Sequence, residues 1–328
     1  MLTYLLPLRV DDGEDLSELA RYLDEIAGVV DDVLVVDGSS ERALARHRTM
    51  FSHRVRVVPP AHRTLMGKVG NVMTGLEQAR YEKVVIADDD VRYAADQLHD
   101  IGRRLEDADI VRPQNYFTPL PWHARVDTAR TLLARVTGGD WPGTLGVRRS
   151  VVLRAGGYAG DVMFENLELV RTVRAAGGRE VLALDLNIAR RPPTSAHFRR
   201  QQIRQAYDEL ARLPRLLVSL AVLPLGVSAV VARQWRAIAC AALAVTTAAE
   251  VGRRRAGGRR VFPASSSLLA SPWVIWRSVC SWAALIAFTR GGVTYRGTRV
   301  RRAATSMRAL RRSSHEREDQ RERRQIAS

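Results

Sequence analysis

The chain has 328 residues and a formal net charge of +16, with only two cysteines. That length accommodates one sizeable domain plus a further module. Cys240 and Cys280 both lie in apolar stretches, which excludes a disulfide framework and a cysteine-based metal site. The charge raises nucleic acid or an anionic membrane as partner, and its distribution decides. From Gly252 to Ser328 there are 18 Arg against four Asp and Glu, a net of +14, which leaves +2 for the first 251 residues. Basic charge that follows apolar segments, rather than surrounding a cleft, favours a membrane surface and argues against nucleic acid. The apolar run Leu2 to Leu8 is followed by acidic residues and lacks the length and basic flank of a signal peptide, so the first domain is expected in the cytoplasm.

Strand and helix patterns alternate through the first half. Thr3 to Leu6 reads as a buried strand, and an amphipathic helix follows around Asp15 to Ala27. Asp32 to Asp37 is an apolar strand ending in a polar turn; a helix follows from about Glu41 to Phe51, then a strand at Val55 to Val58. Gly67-Lys68-Val69-Gly70-Asn71 opens the next helix, and Val84 to Ala87 is a strand that ends at Asp88. This alternation predicts an α/β domain with a mainly parallel sheet and flanking helices over residues 1–213. Polar residues at the ends of apolar strands sit on the carboxyl edge of the sheet, where open α/β folds bind ligands.

The character changes after residue 213. Leu216 to Ala232 and Ala237 to Ala249 carry no charge and are separated by Arg233-Gln234-Trp235-Arg236. They predict a transmembrane helical hairpin over 214–251, with flanking Arg side chains reaching the interface. Residues 252–312 read as a basic loop plus an interfacial or transmembrane helix at about 268–289. Its mid-segment Arg277 and its Trp residues 273, 276 and 282 suit an interface better than the bilayer centre. A charged tail, 313–328, is expected to be disordered. The expected location is the cell membrane, multi-pass, with the catalytic domain and the basic tail both facing the cytoplasm. That needs an even number of crossings.

Asp88-Asp89-Asp90 is the sharpest chemical feature. Three acids directly after an apolar strand repel one another unless a cation lies nearby, and a divalent metal bridging a diphosphate is one such partner. A solvated strand end or a helix cap would explain the triplet equally simply. Asp37, followed by Gly38-Ser39-Ser40, can accept from a ribose hydroxyl or a base N–H, or can merely form an Asp-Gly turn with Ser40 as the next helix cap. The glycines around Lys68 permit close backbone approach, and a helix start favours phosphate. The stretch matches neither a Walker A loop nor a spaced GxGxxG, which disfavours a P-loop ATPase and a Rossmann oxidoreductase.

Together, Val35 to Ser40, Gly67 to Asn71, Asp88 with Asp90, Phe164-Glu165-Asn166, and Gln201 to Gln205 resemble family 2 glycosyltransferases of the GT-A fold, in the family's order. They resemble the ceramide-glucosylating and processive branch in particular. The resemblance covers roughly residues 3 to 210. It implies that the domain is a nucleotide-diphospho-sugar transferase using Mg²⁺ or Mn²⁺, with a UDP-sugar as default donor and a lipid or growing glycan as acceptor. It implies donor contacts from Asp37, Lys68, Asn71, Asp88, Gln201 and Arg204, and metal ligation by Asp90 with Asp88. Asp140 and Trp141 would lie on the acceptor side, as would the region around Gly156-Gly157-Tyr158. Glu165 and Asp90 would carry the catalysis.

Two departures from the family pattern matter. The family's Glu-Asp base motif is Glu165-Asn166 here, and Asn cannot take a proton. Glu165 is then the expected base, unless the helix register brings Glu168 nearer or catalysis is weakened. The Gln-x-x-Arg-Trp motif ends in Gln205, without the Trp. Two other readings remain: a non-catalytic glycosyltransferase-like membrane scaffold and a membrane-anchored nucleotidyltransferase. The oligomeric state is not legible.

Overall fold

The computed structural model describes residues 1–295 and 297–326. In chain order the elements are β1 (Thr3–Leu8), α1 (Ser17–Ile26), β2 (Asp32–Asp37), α2 (Glu41–Met50), β3 (Val55–Val58), α3 (Gly67–Gln78), β4 (Lys83–Ala87), β5 (Val91–Arg92), α4 (Ala95–Arg104), β6 (Ile110–Phe117) and α5 (Trp122–Val136). There follow β7 (Thr144–Arg148), α6 (Arg149–Arg154), α7 (Glu165–Ala175), β8 (Glu180–Arg190), α8 (Ser195–Tyr207), α9 (Leu213–Val231) and α10 (Trp235–Arg254). The last are α11 (Ala264–Leu268), α12 (Ala270–Thr289), β9 (Val293–Tyr295), β10 (Thr298–Val300) and α13 (Met307–Ile326). They form two compact units: residues 1–112, 142–181 and 305–328 in the first, and 113–141 with 182–304 in the second.

In the first unit β3, β2, β1 and β4 lie side by side and parallel. Their central strands are apolar throughout because both faces are covered: Leu5, Leu6, Leu34, Val35, Val84 and Val85 are fully buried. β7 then runs antiparallel to both β4 and β6, so the sheet is mixed. The result is a GT-A-like α/β arrangement with flanking helices. Helix α3 packs tightly on β1, since a Cβ at Gly75 would stand 2.2 Å from Leu5. Ser40 caps α2, accepting from the Ala43 amide at 3.1 Å, as its place after Asp37-Gly38-Ser39 predicts. Met307–Ile326 is helical and so covers most of the stretch 313–328 expected as a disordered tail, whose residues 327 and 328 lie outside the described residues. Spacings such as Arg312 to Glu316, an i,i+4 ion pair at 2.9 Å, favour a charged helix without a core face of its own.

The second unit is mainly helical and also takes in the end of β6, most of β8 and the β9–β10 pair. Ala129, Leu132, Ala249, Phe262, Ala270 and Trp273 form its core. Helices α5 and α10 approach so closely at Gly252 that an added Cβ would meet the Leu132 carbonyl oxygen at 1.9 Å. Arg135, fully buried, donates to the carbonyls of Gly252 at 3.0 Å and Arg255 at 2.6 Å, which caps the end of α10. Burial, assisted by Arg255, brings its guanidinium down to about 10.

Among the described residues, only α9 is long and apolar enough to cross a membrane. The stretches expected as a second span and an interfacial helix form α10 and α12, and neither reaches that apolarity. Arg277 is 5% exposed rather than held out at a surface. It lies over the Trp273 ring, 5.0 Å from its centroid, and near Glu209, 3.8 Å from Oε1. Glu209 thus counters the mid-helix charge inside the unit, and a second cationic side chain, Arg215, shares the same oxygen at 3.6 Å.

Candidate active site

The parallel strands bring their carboxyl ends to one edge of the first unit, where Leu8 pairs in register with Asp37 and β4 ends at Ala87. The acidic triplet begins there. The Asp88 amide donates to the Gly143 carbonyl at 2.8 Å, and the Val91 amide donates back to the Asp88 carbonyl at 3.1 Å. The triplet is thus pinned as a tight turn with Asp88 and Asp90 half-buried and Asp89 exposed.

Lys68 comes from the first turn of α3. Its ammonium donates to Asp88 Oδ1 at 2.7 Å and to Glu165 Oε1 at 3.1 Å. Three groups separated by 97 residues of chain thereby meet, each about one-fifth exposed. Burial alone would lower the Lys68 value, but the charges of Asp88 and Glu165 outweigh it and hold the ammonium above the ordinary lysine range. Glu165 is the first residue of α7, where the helix N-terminus favours a negative charge. Tyr158 belongs to the same electrostatic cluster: burial raises its phenol, and it feels Lys68, Glu165 and Asp88. The sequence placed Tyr158 only in a broad acceptor-side region. A Gly-Gly pair before a tyrosine signals a turn, not which group the ring faces.

The glycines around Lys68 do a different task from the one expected. A Cβ at Gly70 would stand 2.3 Å from the His62 carbonyl oxygen, so Gly70 permits backbone packing. Only Gly67, at the helix start, has open surroundings apart from Arg9.

Several expected donor contacts are engaged elsewhere. Asp37 is buried; its Oδ2 is 2.6 Å from His47 Nδ1, and its Oδ1 accepts from the Ser39 amide at 2.9 Å. Asn71 is 4% exposed and donates to the carbonyls of Leu8 and Val36, both at 2.9 Å, tying the ends of β1 and β2 together. Glu168, the alternative base, is fully buried and accepts from the Thr305 amide at 2.7 Å. Asn166 donates to the Pro142 carbonyl at 2.9 Å. The carboxamide that replaces the family's acid is therefore a loop tether here.

In the second unit, Asp140 is buried. It pairs with Arg130, accepts from the Thr131 hydroxyl at 2.7 Å and accepts from the Trp141 amide at 2.8 Å. Burial would raise its carboxyl, but Arg130 and these hydrogen bonds prevail and hold it below the ordinary range. Gln201 contacts His197, and Arg204 lies over the Tyr295 ring at 5.0 Å.

Among the described residues, no group of three His, Cys, Asp or Glu side chains is arranged to hold a metal ion. Asp88 and Asp90 still offer hard oxygen donors two residues apart at the sheet edge. Magnesium is commonly held by one or two carboxylates, with substrate phosphates and water completing the sphere, and the donor set fits that mode.

Residues 14–141 match glycosyl transferase family 2. Over that stretch the chain is similar to the family, and its enzyme class is glycosyltransferase. The matched span includes Asp37, Lys68, Asn71, Asp88, Asp90, Asp140 and Trp141, and ends before Glu165. No curated protein matches the chain. Among solved structures, mannosyltransferase PcManGT from Pyrobaculum calidifontis, in complex with GDP-Man and Mn²⁺, is 20% identical; the alignment covers 96% of this chain and 85% of that one, with a TM-score of 0.48. S. aureus TarS 1-349 is 13% identical over 68% of this chain and 65% of its own, with a TM-score of 0.40. M. tuberculosis glucosyl-3-phosphoglycerate synthase is 19% identical over 59% of this chain and 72% of its own, with a TM-score of 0.41.

Proposed function

We propose that the glycosyltransferase domain moves a sugar from a nucleotide-diphosphate sugar to a hydroxyl of a membrane-proximal acceptor, a lipid or a growing glycan, by a single inverting displacement. The observation that carries this reading is the Lys68 ammonium held between Asp88 and Glu165. It supports a site in which one cation and one carboxylate from separate helix starts stand at the same sheet edge. Glu165 would accept the proton of the acceptor hydroxyl as its oxygen bonds to the anomeric carbon. The bond from that carbon to the diphosphate breaks with its electron pair, and Lys68 would steady the charge on the leaving nucleotide. A divalent cation on Asp88 and Asp90 would neutralise that same charge.

Membrane association fits the surface of α9, where Leu217, Val218, Leu225, Val227, Val230 and Val231 are exposed. The basic stretch Arg253 to Arg260 suits an anionic leaflet. An acceptor that also lives at the bilayer is the natural partner for an enzyme tethered there. A UDP-sugar is the first donor to test, with a GDP-sugar as comparison. The decisive experiment is donor hydrolysis and transfer by the purified full chain, with Mn²⁺ and with chelator. Turnover of a nucleotide sugar that fails in Asp90→Ala supports the reading; donor binding with no turnover under any condition would instead favour the non-catalytic scaffold.

A further inference from the structure

The C-terminal segment is fastened to the helix that carries Glu165, by contacts the transfer reaction does not itself require. Thr305 is held at both ends of its peptide unit: its amide donates to Glu168 Oε2 at 2.7 Å, and its carbonyl accepts from Arg171 Nη1 at 2.9 Å. Glu168 lies one helical turn beyond Glu165 on α7, and it is completely buried. Its other oxygen, Oε1, is buried without a hydrogen-bond partner. A buried carboxylate is costly in an apolar setting, so a carboxylate with one free oxygen depends heavily on the bond it does make. Beyond Thr305, α13 packs on α7. Its Arg317 guanidinium lies over Gly156, where an added Cβ would stand 2.8 Å from Nη1. Gly156 is in the loop that leads to Tyr158, a member of the Lys68 cluster.

We propose that residues 305–320 form a strap that sets the pose of α7, with Glu168 as a positioning residue for Glu165. The inference rests on Glu165 being the proton acceptor. Glu168 is not a second base: its carboxylate is out of solvent and spent on the strap. The segment clasps the first turn of α7 and the Tyr158 loop together, so loosening it would spread the groups that surround Lys68.

The test uses the full chain in detergent with three variants. Thr305→Pro removes the donor N–H without touching α7, Glu168→Leu removes the acceptor, and Glu168→Gln keeps an acceptor oxygen. Amide hydrogen exchange over residues 165–175 is expected to quicken about tenfold in Thr305→Pro and Glu168→Leu, the scale of one buried hydrogen bond, and to stay near wild type in Glu168→Gln. Turnover should follow the same order, falling about tenfold in the first two with donor KM unchanged. Unchanged exchange in both Thr305→Pro and Glu168→Leu overturns the strap, as does a Glu168→Gln enzyme as inactive as Glu165→Gln. If Glu168→Leu does not fold, Thr305→Pro decides alone. If the wild type transfers no sugar, the transferase reading fails, while the exchange measurement still decides the strap.

Discussion

Replacing Lys68 by Met tests the centre of the site, because it removes one cation from between two carboxylates. Asp88 at 2.7 Å and Glu165 at 3.1 Å would then face each other's field with no counter-charge between them. Removing one partner from a fully buried ion pair costs about 3–5 kcal/mol. Each side chain here is about one-fifth exposed, so solvent screens part of that loss, and about 2–3 kcal/mol is the expected destabilisation. For a domain of this size that lowers the melting temperature by roughly 5–10 °C. The pH dependence follows from the direction of the Lys68 shift. Its folded value lies above its unfolded one, so its contribution is complete below the ordinary lysine value of about 10.4 and is lost only as pH rises through the folded value. The deficit should therefore be the same at pH 6, 7 and 9. Thermal melts of the detergent-solubilised full chain at these three values measure it. A deficit under one or two degrees, or one that shrinks between pH 6 and 9, would refute the bridging role.

Glu165→Gln should cut turnover by about 10²–10⁴-fold while preserving the thermal shift given by the donor. Chelating divalent cations should abolish that donor-induced shift in the wild type, and Asp90→Ala should do the same with metal present. Gly252→Ala should lower stability by about 1–3 kcal/mol, because its Cβ would collide with the Leu132 carbonyl oxygen and push α10 off α5. Gly226→Ala, inside α9 with nothing within 4 Å of its added Cβ, is the control without a collision, and its melting temperature should hold or rise slightly. Asp140→Asn should destabilise the chain at pH 7 by about 1–2 kcal/mol, since it weakens one of the two carboxylate pairs of Arg130 and leaves only Asp127 ionised beside it. The Asp140 carboxyl is depressed, so its contribution is present above the ordinary carboxylate value and lost as pH falls through its folded value. The gap between wild type and variant should hold from pH 7 to about pH 5 and narrow only in melts taken below the ordinary carboxylate value of about 3.9.

The strands were legible because fully covered parallel strands write uninterrupted apolar runs, and Asp37 and Asp88 mark where two of them stop. Lys68 was legible as a rare lysine at a helix start. Its meeting with Glu165 was not, because no local pattern records a contact across 97 residues. Asp37 and Asn71 show the opposite limit. Their residue types and edge positions suit a ligand equally well, but His47, ten residues on, and the carbonyls of Leu8 and Val36 claim them in this structure. The helix in the tail was not legible because composition predicts only whether a segment can build its own core. Helix α13 has no core of its own and lies against α7.

The charge at the site would make binding of a diphosphate donor depend on a metal more than any single contact would. Asp88, Asp89, Asp90 and Glu165 bring four carboxylates near one sheet edge and one helix start, and Lys68 is the cation bridged between two of them. A nucleotide diphosphate arriving there carries further negative charge onto a surface already dominated by acids. At contact distances, even in a medium of intermediate polarity, each uncompensated pair of like charges costs on the order of a few kcal/mol. Lys68 cannot offset both its present partners and a diphosphate. A divalent cation held by Asp88 and Asp90 would supply the missing positive charge, and Lys68 would then be available to the phosphate. The acids that would repel a donor by themselves are the ones that would admit it together with a metal, and Lys68 would be the group to change partners between the two.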